Sequence, residues 1–289
     1  MVEIYCFLYP KTIHKRVSMG LSLSTLLCIS GLANANVIGF SNGTLNSDYT
    51  YQGGASIDAS QSALTLTKDQ QNEHASWFYN TSQNVTAFST TFDYTQTSNA
   101  TPSDGMAFVI QNTAAGANAL STQNGGSGLG YQGMQNSAAI EFNLAPIFGP
   151  PHVQGTNLAV DGSTGVYNPT GAVAFWNNNE TVQTTLTYSG NILTENLLDL
   201  TTLATYTTQY SIDLSSVLGS NSAFIGFTGA TGGNASTQIV SDFSFTNGGS
   251  TGGNTSGVPA STTPIPAAIW LVGSALAGLI GFGRRKLPI

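Results

Sequence analysis

Two short stretches carry the side chains best suited to chemistry, Ser103-Asp104-Gly105 and Glu141-Phe142-Asn143. An aspartate beside a glycine can accept hydrogen bonds from two neighbouring hydroxyl groups, and such charge-assisted bonds are strong. The glycine lets the backbone approach a ligand closely. Taken alone, Asp104-Gly105 also reads as a plain turn. Glu141 would suit acid–base work if a second carboxylate stood on the same strand, as glycoside hydrolysis requires. Asn143 stands there instead, and the next acid is Asp161. Nucleophilic catalysis lacks its parts beyond residue 36: both cysteines, Cys6 and Cys28, lie before it, and only His74 and His152 follow. A lone loop histidine such as His152 is more often a surface residue than a ligand.

Charge narrows the partners. The chain has 7 Lys and Arg against 14 Asp and Glu. Six of the seven bases sit at the two ends, and Lys68 is the one base between them. With thirteen acids in the same region, its net charge is about −12. A nucleic-acid binder needs a basic face to neutralise phosphates, so that class is excluded. The remaining surface is rich in Thr, Ser, Asn and Gln, whose neutral hydrogen-bonding groups suit either a polyol ligand or simple solubility.

The ends of the chain read as targeting segments. Lys11, Lys15 and Arg16 precede an apolar stretch, Met19 to Ile29, and Ala33-Asn34-Ala35 offers small residues for cleavage before Asn36. This is the pattern of a signal peptide, 1–35. A retained anchor is the alternative, but the stretch is short for a hydrocarbon layer about 30 Å thick. Pro266 to Gly283 is uncharged and long enough to span a bilayer, and Arg284-Arg285-Lys286 follows it. The positive-inside rule then places the C-terminus in the cytoplasm. Residues 247–263 are rich in Gly, Ser, Thr and Asn and read as a flexible linker. The last segment, 264–289, resembles the PEP-CTERM sorting signal of Gram-negative bacteria through Thr263-Pro264-Ile265-Pro266, Trp270, Gly273-Ser274-Ala275 and Arg284-Arg285. Ile265 replaces the glutamate of that motif. The resemblance implies recognition by exosortase-type machinery and delivery to the cell surface or extracellular matrix; an ordinary tail anchor is the other reading.

Between the ends, strand signals dominate. Ser62–Thr67 and Thr86–Tyr94 alternate with period two. Further strands are predicted at 105–110, 138–142, 158–161, 172–176, 181–188, 191–197, 205–212, 223–227 and 238–245. They are rich in Thr, Val, Phe and Tyr and are bounded by Gly, Asn, Ser and Pro. So many short strands in one region, 36–246, predict a single all-β domain, a sandwich or barrel. With no cysteine there, its core must hold it without disulfides.

Four segments, in order, resemble the legume-type (L-type) lectins. They are Thr86–Phe92, Ser103–Phe108, Gly126–Gly130 followed by Ala138–Asn143, and Ile225–Gly232 followed by Ser241–Phe245. The resemblance runs from Phe40 to Phe245 and implies a concanavalin-like antiparallel β-sandwich, or jelly roll. It further implies a shallow sugar site on loops, without catalysis. Asp104 matches the sugar-binding aspartate, which in the family follows a cis peptide. Gly126 or Ser127 matches the glycine-rich loop whose amides meet the ligand, and Gly232 would line the other side.

The family also binds a transition metal and a calcium beside that site, and here the chain departs. Glu141 is present, but Asn143 replaces the bridging aspartate, which weakens a site for hard cations. Asn157 falls at the histidine position and Ile147 at the asparagine position. The second aspartate position is Gly149 or His152, depending on how the Pro150-Pro151 pair is matched. The expectation is no transition metal and at most a weakly held calcium, with Glu141, Asn143 and His152 as its candidate ligands. The reading is therefore a surface- or matrix-directed protein that binds carbohydrate or exopolysaccharide. The alternatives are a structural or adhesive matrix protein with a degenerate site and, less favoured, a glycoside hydrolase.

Overall fold

The computed structural model describes residues 37–41, 44–45, 48–58, 62–123, 125–146 and 153–248. The signal peptide, the C-terminal helix and sorting segment, the linker beyond Gly248, and Ile147, Gly149 and His152 lie outside the described residues. Among the described residues no helix is long and apolar enough to cross a membrane.

The strands are β1 (Val37–Ser41), β2 (Thr44–Leu45), β3 (Tyr49–Gly53), β4 (Ser56–Asp58), β5 (Ala63–Thr67), β6 (His74–Tyr79), β7 (Gln83–Asn84) and β8 (Phe88–Thr97). They continue with β9 (Gly105–Gln111), β10 (Ser137–Asn143), β11 (Gly155–Val160), β12 (Thr181–Ser189), β13 (Ile192–Asp199), β14 (Thr205–Ser211), β15 (Ser222–Ala230) and β16 (Thr237–Asn247). One sheet has nine strands, in the order β14-β13-β12-β8-β16-β1-β2, with β5 also on β16 and β4 on β5. The other has seven, in the order β11-β10-β9-β15-β6-β3, with β7 also on β15. All pairings are antiparallel, and the two sheets face each other as a sandwich.

Alternation explains the nine-stranded sheet. Phe88, Phe92 and Tyr94 of β8 and Val182, Leu186 and Tyr188 of β12 point inward, with Thr90, Gln96 and Thr184 buried among them, while Ser89, Thr91, Thr95, Thr97, Gln183, Thr185 and Thr187 point out. On β16, Val240 and Phe243 are three residues apart yet both are buried. A bulge between Ser241 and Ser244, with Asp242 at φ 50°, supplies the extra residue that keeps both on the inner face. The centre is aromatic. Phe227 meets Phe243 edge-on at 5.0 Å and Phe92 at 5.1 Å, and Phe40 meets Trp77 at 5.4 Å. Such geometries suit the ring quadrupoles.

Most predicted strands appear, shifted by a few residues at their ends. Residues 172–176 do not form a strand. Val173 and Phe175 are buried, as their alternation implies, but the backbone folds into turns with Val173 N–H donating to Thr170 O (3.2 Å) and Asn177 N–H to Ala174 O (2.9 Å). Alternation there reports burial, not pairing: Phe175 packs on Tyr94 and Phe142 without joining a ladder. The β6 segment, His-Ala-Ser-Trp-Phe-Tyr, is buried on both faces from Ala75 onward, so it shows no period-two pattern. A one-turn helix, α1 (Leu214–Leu218), was also not predicted; Asp213 caps it by accepting from Ser216 N–H (3.1 Å), and Gly219 ends it at φ 62°.

The seven-stranded sheet carries a second layer. Residues 112–136 cross its outer face, where Ala119, Tyr131 and Met134 pack on Phe78, Val109 and Ala139. This crossover is what brings the glycine-rich turn Gly125–Gly128 to the strand ends.

Candidate functional site

The pairing register of the seven-stranded sheet places five residues in one row at one end: His74, Ala230, Gly105, Asn143 and Gly155. The parallel row two residues further in is Ser76, Thr228, Ala107, Glu141 and Asn157. Strand side chains alternate between faces. Both rows therefore face outward, opposite to Trp77, Phe227 and Phe108 of the aromatic core.

Asp104 stands just before this row. The Ser103–Asp104 peptide is cis. Asp104 N–H donates to Ala230 O (3.1 Å), and Leu144 N–H donates to Asp104 O (2.9 Å), so its backbone is tied to β15 and to the end of β10. Its carboxylate is 1% exposed, and neither oxygen has a hydrogen-bond partner of good geometry. Gly126 and Gly232 flank it. A Cβ at Gly126 would collide with Asp104 Oδ2 and the Gly232 nitrogen, and one at Gly232 would sit 2.8 Å from Oδ2. Only glycine fits these two positions. Burial raises the Asp104 carboxyl above its ordinary value, while the nearby Ser103 hydroxyl, Gly232 amide and His74 lower it in part.

The surrounding loop is anchored firmly. Thr231 N–H donates to Glu73 O (2.9 Å), Thr231 Oγ1 donates to Gln70 O (2.6 Å), and Ser236 Oγ donates to Ser103 O (2.9 Å). His74 Nε2 lies 3.2 Å from Gly125 O, linking β6 to the glycine-rich turn. His74 was not singled out from sequence as part of this site. It lies outside every matching segment, and only the β6–β15–β9 pairing brings it near Asp104. Ser127 sits half-buried on the same turn as Gly126. The structure thus brings Asp104, Gly126, Ser127 and Gly232 together. Glu141 and Asn143 lie on the neighbouring strand, and His152 is outside the described residues.

A model of the legume lectin domain matches residues 36–258. The chain belongs to the legume lectin family. Solved legume lectins have the same fold. A Bauhinia forficata lectin in complex with GalNAc aligns with a TM-score of 0.63 at 21% identity, covering 74% of this chain and 99% of that one. Peanut lectin gives 0.58 at 18% identity, covering 75% and 98%. Arcelin-5, a lectin-like defense protein of Phaseolus vulgaris, gives 0.56 at 18% identity, covering 75% and 99%. No curated protein matches the chain.

Beside Asp104, a residue expected to hold metal, Asn143, is engaged within the protein. Asn143 does not offer itself to an ion. Its amide nitrogen donates to Ala145 O (2.8 Å) and Val153 O (2.9 Å), and its oxygen accepts from Ala145 N–H (3.3 Å). An aspartate could not make those two donations. The asparagine therefore clasps the two ends of the loop that in a metal-binding lectin would wrap the ions. Gln154 adds to the clasp by donating to Leu144 O (2.7 Å). Asn157 faces Glu141 across the strands and accepts from Asn168 (3.4 Å). Glu141 is fully buried with neither oxygen partnered, and burial pushes its carboxyl well above the ordinary range. Among the described residues no three His, Cys, Asp or Glu side chains converge. The residues present do not fit the family's two-ion site: one neutral-leaning acid and two committed amides stand where several charged ligands are needed.

Proposed function

We propose that this legume lectin is an exported carbohydrate-binding protein that holds a neutral saccharide at Asp104 and performs no reaction on it. One observation carries the reading: the Asp104 carboxylate is buried between Gly126 and Gly232 with neither oxygen in a hydrogen bond of good geometry. Buried polar atoms without partners are rare and call for an explanation. Two adjacent sugar hydroxyls would donate to the two oxygens and favour the ionised form. The neighbouring glycines let backbone amides reach the same ligand. The Bauhinia relative, solved with GalNAc, supports a saccharide as the ligand class.

The asparagine clasp holds Ala145 and Val153 without an ion, so saccharide binding is independent of calcium. The ends of the chain support export by a signal peptide, membrane insertion through 266–283, and handling by exosortase-type machinery. That route would display the domain at the cell surface or in the matrix, where exopolysaccharide is the natural ligand class.

A glycan array with the protein, with and without EDTA, tests this beside Asp104→Ala. Binding that survives EDTA and disappears in the variant is the expected result. A well-folded protein that binds no glycan would instead support the second reading, a structural matrix protein. The loss of ionic ligands around Glu141 favours that alternative.

A further inference from the structure

The crossover that positions Gly126 also encloses a cleft that the Asp104 site does not use. It lies between the arms 113–123 and 132–136 and has a volume of about 520 Å³. That falls within the roughly 300–1,000 Å³ of small-molecule sites. Backbone bonds hold its ends: Asn112 N–H to Asn136 O (2.9 Å) on one side and Ser121 N–H to Gly130 O (3.0 Å) on the other. A third bond, Gly133 N–H to Gly162 O (2.9 Å), fixes the second arm from behind. The cleft is thus formed before any ligand arrives, which lowers the cost of binding.

Its lining selects a chemical class. Among the described residues its lining holds no acidic, basic or aromatic side chain. The walls carry hydroxyl and amide groups, among them Thr113, Ser121, Gln123 and Gln132, over an apolar floor of Ala119 and Met134. Anions and metal ions have no counter-charge there. A pyranose, with hydroxyls at its edge and C–H groups on its face, matches both walls and floor. Two lining groups, Thr113 Oγ1 and Gln132 Oε1, are buried without a partner.

One end of the cleft meets the turn Gly125–Gly128 that also carries Gly126 of the Asp104 site. Gln123 is three residues from Gly126, at most about 11 Å along the chain. Gln132 packs against the same turn: a Cβ at Gly128 would lie 3.2 Å from Gln132 Cβ and 3.3 Å from its Oε1. We propose that the cleft is a second saccharide subsite, which takes further units of a neutral glycan chain whose terminal unit sits at Asp104. This rests on the saccharide reading of Asp104 and extends it from single sugars to chains.

The test is calorimetric titration of the full chain with neutral mono- to tetrasaccharides drawn from its strongest array series. Ala115→Trp fills the cleft from an exposed lining position, and Gln123→Ala strips a wall amide without adding bulk. In the unaltered protein, tetrasaccharide should bind about tenfold more tightly than monosaccharide, a gain of about 1.4 kcal/mol. In both variants that gain should fall below about threefold, with monosaccharide affinity unchanged. An undiminished gain in both variants, or no gain in the unaltered protein, overturns the subsite and leaves the Asp104 reading standing. Absence of any saccharide binding, or binding untouched by Asp104→Ala, overturns the Asp104 reading and the subsite with it.

Discussion

Asp104 and Glu195 are both buried carboxylates on the same sandwich, yet their surroundings assign them opposite tasks. Glu195 sits mid-strand on β13 and points between the sheets. Tyr210 donates to its Oε2 (2.9 Å), and Thr156, from the opposite sheet, also favours its charge. Burial outweighs both and pushes the carboxyl up to about 7. Asp104 stands at a strand end, where two glycines pack against its Oδ2 and neither oxygen makes a hydrogen bond of good geometry. At Glu195 the enclosing strands supply a partner for one oxygen, Oε2, through Tyr210. A strand-end acid faces loops, and a loop can leave its partners to a ligand.

The largest separation between the two should come from truncation. Asp104→Ala should weaken saccharide binding about a hundredfold, since it removes two hydrogen bonds to a charged group, with little change in urea stability. Glu195→Ala should cost about 2–4 kcal/mol of stability through the cavity and the stranded Tyr210 hydroxyl, with binding intact. Calorimetry and urea denaturation on both variants would break the comparison if the losses were exchanged.

Next in size is the clasp. Asn143→Asp loses both donations to Ala145 and Val153 and should cost about 1–3 kcal/mol in the presence of EDTA. Recovery of that loss on adding calcium would mean that one carboxylate rebuilds an ion site; no recovery is expected, because the remaining positions hold one buried acid, Glu141, with Asn157, Ile147 and Gly149 or His152.

A separate effect is a pH trend. Glu195 has a folded value near 7, above its unfolded value of about 4.3. Between those values the folded state binds more protons, so stability falls as pH rises. Melting temperature should be higher at pH 5 than at pH 7.5. Glu195→Gln, which keeps the shape and removes the titration, should flatten its share of that slope.

Much of the sandwich was legible because β8, β12 and β13 bury one face each, and a period of two survives in their sequences. The seven-stranded sheet was less legible: β6 is covered on both faces, and continuous burial erases the alternation. Asp104, Gly126 and Gly232 could be picked out by their resemblance to a family pattern, because a glycine forced by close approach is a local requirement. His74 could not, since nothing within its own segment refers to Asp104. The clasp at Asn143 was legible only as a missing charge; that the amide had acquired partners of its own depended on where Val153 returns.

By itself the sequence determined the all-β class, the absence of a disulfide framework from 36 onward, the poverty of basic groups and the glycines that permit a close approach. These follow from residue type and short-range spacing, which act within a strand or a turn. Only the tertiary structure decided that His74 meets the Gly125 turn, that Asn143 closes a loop, and that two arms of the crossover enclose a cleft that meets the same turn. Those outcomes depend on which strands pair and in what register, and long-range pairing is set by packing the whole core at once.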